Sequence, residues 1–399
     1  MKVTSVEIWD VTLDSLPWHH PVFVRVNTDE GISGLGEAGM AYGTGHTGAA
    51  GYVKNLAEGF LVGADPRNVE QLWETMFRGT FWAQGGGPVV FAAMSALDIA
   101  CWDIRGKALG QPVWQLLGGK TNDDLRCYAS QIQFGWGTGP QSRLRKPEEY
   151  AEAARTAVAE GYDAVKVDPA TFDEAGGRVT GLTKIVPRRT LDLIVSRVAA
   201  IRDAVGDEVD ILIEMHASPG ANAAVQIGQA LEPYDCMVFE EGVHYLNPAL
   251  QERLAHSVNI PMAAGERLYT RWGYRAYFED QSLAMIQPDL CLVGGITEGK
   301  KVCDYAHLYD ITVQAHVCGG PVTTAASLQL EAVIPNFQIH EQHVIALKPA
   351  NRELCTPDYQ PVNGRFKVPD APGLGIELNE KALAKSAKVT VTGTAQSLP

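Results

Sequence analysis

The chain reads ILIEMHAS at residues 211–218, MVFEEGV at 237–243 and PMAAGERLYTR at 261–271. Each is a short apolar run, strand-like in length and partly β-branched, that ends in an acid and then a polar or Gly-containing turn. The acids are Glu214, Glu240 and Glu266, spaced 26 residues apart in both steps. A (β/α)8 barrel of ~250 residues allots roughly 31 residues to each βα unit, so this step fits one unit. Equal steps place the three carboxylates at one level on consecutive strands, at the C-terminal strand ends where barrel active sites lie. Three carboxylates gathered there repel one another unless a cation sits between them. All-oxygen ligation favours Mg2+, with Ca2+ or Mn2+ as alternatives, and argues against zinc.

The rhythm runs on in both directions. MIQPD ends at Asp289, ITVQAH at His316 and FQIHE at Glu341, in steps of 23, 27 and 25 residues. Upstream, AVKVD places Lys166 and Asp168 at another strand end, 48 residues from Lys166 to Glu214. That gap reads as one unit with a long inserted loop, since residues 169–189 are rich in Gly, Pro and charge. Asp289 and His316 end adjacent strands, so a hydrogen bond between them is geometrically reasonable. The carboxylate would orient the imidazole and raise its basicity, making His316 a general base and Asp289 its partner. His216 lies two residues after Glu214 and therefore on the same side of the strand. Glu241 follows Glu240 directly and is expected to point away.

Lys166-Val-Asp168, Glu214-Met-His216, Glu240-Glu241, Gly265-Glu266-Arg267-Leu268, Gln287-Pro288-Asp289 and His316 with Gly320-Pro321 resemble the motifs of the enolase superfamily, mandelate racemase subgroup. The stretches GERLYTRWGYR, IQPDLCLVGGITEGKK and AASLQL resemble its galactonate dehydratase-like sugar-acid dehydratases. The resemblance spans nearly the whole chain with its motifs in order. It implies a modified TIM barrel, (β/α)7β-like, with an α+β capping domain formed by the N-terminal segment and the C-terminal tail. It also implies Mg2+ held by Glu214, Glu240 and Glu266, with His216 as the general acid that protonates a departing hydroxyl. Glu341 is implied to hydrogen-bond the substrate carboxylate. The implied reaction removes the C2 proton and the C3 hydroxyl of a sugar acid such as galactonate or gluconate, leaving a 2-keto-3-deoxy acid.

Two positions depart from the family pattern. Glu214 stands where Asp is more common, which moves the carboxylate by about a bond length. Asp168 stands where members with a second base carry the second lysine of Lys-x-Lys. Its absence favours one-sided proton abstraction, hence dehydration over racemisation. Lys166 is left with three roles: contact with the substrate carboxylate, contact with the metal-ligand cluster, or a structural ion pair. An epimerase, racemase or cycloisomerase of the same superfamily, and a metal-dependent binding protein without turnover, are the competing readings.

Composition sets the frame. The 399 residues exceed one average domain. They divide into an N-terminal α+β capping domain (1–124), a barrel (125–345) and a segment (346–399) that packs back on the capping domain. Net charge of −14 argues against nucleic-acid binding. Seven scattered cysteines without a CxxC read as buried thiols in a reducing cytosol. MKVTSVEIWD carries no apolar signal core, and no run of 18 apolar residues spans a membrane. A cytoplasmic homo-oligomer, dimer to octamer, acting on a small-molecule sugar acid is expected.

Locally, residues 1–40 read as an antiparallel meander and residues 43–62 as a mobile loop before a helix. Pro88–Leu109 reads as a helix with one apolar stripe through Met94, Leu97, Cys101, Ile104 and Ala108, stopped at Gly110. The tail after residue 346 reads as hairpins, and residues 385–399 as frayed. Trp18–Pro21, Tyr42–His46 and the 169–189 insertion are the candidate specificity loops.

Overall fold

The computed structural model describes residues 1–81 and 84–393. Two β-branched stretches and a Gly-containing third open the chain as an antiparallel meander: β1 (Val3–Asp10), β2 (Val22–Thr28) and β3 (Ser33–Ala38), with Val24 opposite both Ile8 and Gly36. Helices α1 (His46–Leu56), α2 (Val69–Gly79), α3 (Pro88–Leu109) and the short α4 (Val113–Leu116) follow. The expected loop at 43–62 is mostly helical: α1 runs directly into a π-turn at Ala57–Leu61. Ala49, Val53, Leu56 and Leu61 are buried, and their burial outweighs the helical glycines Gly48, Gly51 and Gly59.

Helix α3 has the predicted bounds and ends at Gly110 in a left-handed conformation (φ +64). It is not an amphipathic helix with one stripe. Every residue from Phe91 to Ile104 is buried, including Ser95, Asp98 and Asp103. The helix lies in the middle of the molecule, against β3 on one side and the barrel on the other. Glycine makes that approach possible: a Cβ on Gly36 would sit 1.8 Å from the Ala96 carbonyl oxygen.

The barrel alternates strictly. Its elements are β4 (Asp124–Ser130), α5 (Pro147–Ala159), β5 (Ala164–Val167), α6 (Arg188–Val205), β6 (Asp210–Glu214), α7 (Ala221–Leu231), β7 (Val238–Glu240) and α8 (Pro248–Ala255). Then come β8 (Met262–Ala264), α9 (Thr270–Glu279), β9 (Met285–Ile286), α10 (Gly295–His307), β10 (Thr312–Val313), α11 (Pro321–Glu331) and β11 (His340–His343). The eight strands are parallel in the order β10-β9-β8-β7-β6-β5-β4-β11. A parallel bridge between Val313 and Phe337, just ahead of β11, joins the two ends. Eight strands with seven intervening helices make the expected (β/α)7β barrel under an α+β cap.

After α12 (Pro349–Arg352), the tail forms β12 (Cys355–Thr356), β13 (Arg365–Lys367), β14 (Glu377–Leu378) and β15 (Ala387–Thr392). β12 and β14 pair with each other, and β13 pairs antiparallel with the start of β4. β15 returns to pair with β1 as the fourth strand of the N-terminal sheet. Residues 387–392 are therefore an edge strand, not a frayed end, as the β-branched run Val389–Thr392 permits. The rest of that expectation, residues 394–399, lies outside the described residues.

Buried acids join cap to barrel. Asp98 on α3 accepts from the Thr297 N–H (2.9 Å) and hydroxyl (2.5 Å) in the first turn of α10. Ser95 accepts from the N–H groups of Gly294 and Gly295 at the same helix start. Glu37 on β3 accepts from Gly320 (2.5 Å) and Thr323 (3.0 Å) at the start of α11. These carboxylates satisfy orphan N–H groups at helix N-termini. Burial pushes both up to about 7 against those bonds.

Candidate active site

The strand ends on one face of the barrel bring the predicted acids together. Glu214 and Glu240 are register partners on β6 and β7. Glu266 is not at the same level: the partner of Glu240 on β8 is Ala263, three residues earlier. Glu266 reaches the site from the turn beyond β8. Gly265 makes that turn with φ +154, and a Cβ there would lie 2.6 Å from the Gln287 nitrogen. The outcome is still a cluster. One carboxylate oxygen from each glutamate lies within 4.8 Å of the others; the Glu214 and Glu240 side chains are fully buried and that of Glu266 is 11% exposed.

The charge of this cluster is only partly answered by protein. Lys166 at the end of β5, 1% exposed, lies 3.1 Å from both Glu240 oxygens, 3.1 Å from Glu341 and 3.7 Å from Glu214. Burial would lower the Lys166 ammonium, but Glu240 and Glu341 hold it well above its ordinary range. Lys166 is thus ion-paired with two of the three clustered glutamates and with Glu341. Burial, and then the charge of Glu240, raise the Glu214 carboxyl well above the usual range. Glu214 Oε2 is buried with no hydrogen-bond partner. An orphan oxygen beside two further carboxylates is the donor set of a hard divalent cation, and these residues fit Mg2+.

His316 faces the trio. Its Nδ1 is 2.8 Å from Asp289 Oδ2 and its Nε2 is 3.3 Å from Glu266 Oε2. Burial opposes its protonation, yet with no cation at the trio Glu266 and Asp289 push it up to about 10; a cation held by Glu266 would take away the larger of these two and leave Nε2 able to accept a proton. Glu266 itself, which burial alone would raise, is held below its ordinary value by His316 and Arg267. Glu341 on β11 accepts from the Ser130 hydroxyl (2.5 Å), the Val317 N–H (2.9 Å) and Lys166. Burial works against its charge, but Lys166 and His316 hold it far below the carboxylate range. Glu341 is thus an ionised acceptor with its oxygens already engaged. Glu241 lies behind the trio, buried and paired with Arg267.

His216 also reaches the site, with its Nδ1 2.7 Å from Asp168 Oδ2. Burial would lower this imidazole, and the Asp168 hydrogen bond and charge raise it. The third and seventh barrel strands, β6 and β10, stand diametrically opposite in an eight-strand order. His216 follows the first and His316 the second, so the two His–Asp pairs face each other across the mouth.

The family description "Enolase C-terminal domain-like" matches residues 149–382. That of the mandelate racemase / muconate lactonizing enzyme N-terminal domain matches residues 9–118. The chain belongs to the enolase superfamily, in its mandelate racemase subgroup. It is 34% identical over 372 residues to a D-galactonate dehydratase of Ralstonia nicotianae, covering 92% of this chain and 91% of that protein. A member of the enolase superfamily from Salmonella Typhimurium has a solved structure with TM-score 0.95 and 51% identity, covering 98% of this chain and all of that one. A mandelate racemase/muconate lactonizing enzyme from Jannaschia sp. CCS1 gives TM-score 0.85 and 34% identity, over 96% and 97% of the two chains.

Within this superfamily architecture, the loops expected to govern specificity are placed unequally. Tyr42 is half exposed, and the nearby charges of Cys318, Glu266 and Glu214 raise its hydroxyl above the ordinary range. The loop before α1 therefore reaches the barrel mouth. His19 is fully buried, 3.3 Å through Nε2 from Asn351 Oδ1, and ties the 18–21 stretch to the segment after β11. The 169–189 insertion is pinned at its start by buried Arg197, which donates to the carbonyls of Pro169 and Phe172. Sequence reasoning missed the roles of Ser130 and Asp168. Ser130 at the end of β4 carried no motif. Asp168 did sit at a strand end, but nothing in its spacing marks it as the partner of His216.

Proposed function

We propose that the protein is a Mg2+-dependent sugar-acid dehydratase, a carbon–oxygen lyase, acting on an aldonate such as galactonate or gluconate. The observation that carries this reading is the pair of opposed His–Asp dyads on either side of a glutamate trio. The 34% identical D-galactonate dehydratase supports it. A cytoplasmic setting suits the seven unpaired, buried cysteines.

The chemistry follows from one difficulty. A proton beside a carboxylate is a very weak acid, because its removal leaves a dianionic enediolate. Glu214, Glu240 and Glu266 would hold a divalent cation, which when bound would supply Lewis-acid stabilisation of that charge. His316 Nε2 takes the C2 proton while Asp289 holds Nδ1–H and the ring orientation. Lys166 adds a fixed positive charge beside Glu240, Glu341 and Glu214. Glu341 acts through Lys166 and Ser130, which it orients, and donates no proton of its own. His216 gives its Nε2 proton to the C3 hydroxyl as the C3–O bond breaks and water departs. The resulting enol takes up a proton at C3 and becomes the 2-keto-3-deoxy acid. Because base and acid stand on opposite sides, the proton and the hydroxyl leave in opposite directions.

The same opposition of dyads favours one competing reading. Two imidazoles across one carbon suit proton removal and return at C2, an epimerase. A panel of aldonic and aldaric acids incubated with Mg2+ in D2O separates the two. Keto-acid formation from a panel member is the expected result. An isomer deuterated at C2 with no keto acid would replace the dehydratase by the epimerase, and no turnover at all would remove both.

A further inference from the structure

Asp168 and Asp289 bind their histidines in the same way. Asp289 Oδ1 accepts from the backbone N–H two residues on, Cys291 (2.7 Å), and Oδ2 faces His316 Nδ1 at 2.8 Å. Asp168 Oδ1 accepts from the backbone N–H two residues on, Ala170 (2.8 Å), and Oδ2 faces His216 Nδ1 at 2.7 Å. Both aspartates sit beside a proline, at Pro169 and Pro288, and both are at most 5% exposed. In each, one oxygen is spent fixing the carboxylate to its own turn and the other fixes an imidazole.

The rest of the surroundings leave Asp168 little else to do. Among the described residues His216 is its one ion-pair partner. Its own N–H donates to Gln133 Oε1 at 3.2 Å, and the Gln133 amide in turn donates to Gln131. Gln131 Nε2 lies 3.5 Å from His216 Nε2. A carboxylate at Nδ1 fixes the proton there and leaves Nε2 for the cavity. His216 is held in this pose on a left-handed backbone (φ +46), a conformation a non-Gly residue keeps only where its surroundings fix it.

We propose that Asp168 is the positioning residue for proton delivery to the leaving hydroxyl, working through His216 as Asp289 works through His316. The inference rests on the dehydratase reading. It gives a purpose to the one site position that departs most from the lysine pattern of the subgroup. The carboxylate replaces a second base by half of a second dyad.

The test is Asp168→Asn, assayed in D2O on two substrates. One is the natural sugar acid found by the panel; the other is its 3-deoxy-3-fluoro analogue. Fluoride departs as an anion with the C–F electron pair, so its loss needs no proton from His216. Expected on the hydroxyl substrate is a kcat for water loss lower by ~100- to 10,000-fold, with C2 exchange within ~threefold of wild type. Expected on the fluoro substrate is fluoride release at close to the wild-type rate, which also shows that the variant is folded. Parallel loss of exchange, water release and fluoride release would reduce Asp168 to a structural residue. Undiminished water loss would overturn its role outright. A wild type that yields no keto acid from any sugar acid would instead sink the dehydratase reading, and this proposal with it.

Discussion

Lys166 Nζ lies 3.1 Å from both oxygens of Glu240, and neither side chain is more than 1% exposed. A single buried ammonium thus sits among Glu240, Glu341 and Glu214. Glu240 and Glu341 outnumber that one positive charge, burial and the charge of Glu240 disfavour the ionised form of Glu214, and the orphan Glu214 oxygen marks where the group is least satisfied. Burying such charges without compensation is costly. That imbalance is the physical reason to expect a cation here.

Lys166→Met removes the one buried cation from this group. Breaking a buried ion pair by deleting a partner costs ~3–5 kcal/mol, so the ion-free variant should melt well below wild type. Saturating Mg2+ should then raise its melting temperature more than it raises that of wild type. Thermal denaturation with and without Mg2+ measures both. Equal melting temperatures without the ion would contradict the role.

Glu240→Gln keeps the shape and removes a charge and a hard oxygen ligand. Affinity for Mg2+ or Mn2+ should fall by more than the ~10- to 100-fold that changes outside the coordination sphere cost. Calorimetric titration reads this directly. Unchanged affinity would remove Glu240 from the ligand set.

The two histidines should separate the two halves of the reaction. His316→Asn should abolish C2 exchange and product formation while leaving metal affinity nearly intact. His216→Asn should spare exchange and lower water loss by ~100- to 10,000-fold. NMR in D2O follows both events in one sample. Retained exchange in the first variant, or retained water loss in the second, would reassign the residue.

Much of this site was legible in the sequence because a strand-end acid repeats once per βα unit, and β6 and β7 bring Glu214 and Glu240 side by side. Glu266 kept the interval but not the level, since interval counts residues and cannot see a turn such as that at Gly265. The His216 partner was not legible: Asp168-Pro169 reads as the start of a loop, and only folding closes the 48-residue gap between Asp168 and His216. α3 was correct in extent and wrong in character, because a helix packed on two sides keeps apolar periodicity on one face and hides polar caps on the other. β15 was missed because an edge strand of mostly exposed residues has no buried face to announce it.

The cap–barrel junction carries a pH signature. Asp98 is pushed up to about 7 from an ordinary value near 3.8 by burial. A raised carboxyl costs nothing extra below the unfolded value and its penalty grows as pH rises toward 7, reaching roughly 4 kcal/mol at the upper limit. Asp98→Asn removes this titration. Its stability should therefore fall less steeply than that of wild type between pH 5 and pH 8, with Glu37 supplying the remaining slope. Melting temperature against pH for the two proteins decides it, and parallel curves would contradict the assignment.

Glu214, Glu240 and Glu266 are expected to share one divalent ion. Anomalous diffraction from a crystal of the protein soaked in Mn2+ tests it without reference to any substrate. The expected result is a single strong peak in the barrel mouth, about 2.0–2.2 Å from one oxygen of each glutamate. A peak touching none or only one of the three, or a full-occupancy ion elsewhere with the trio bare, would contradict it.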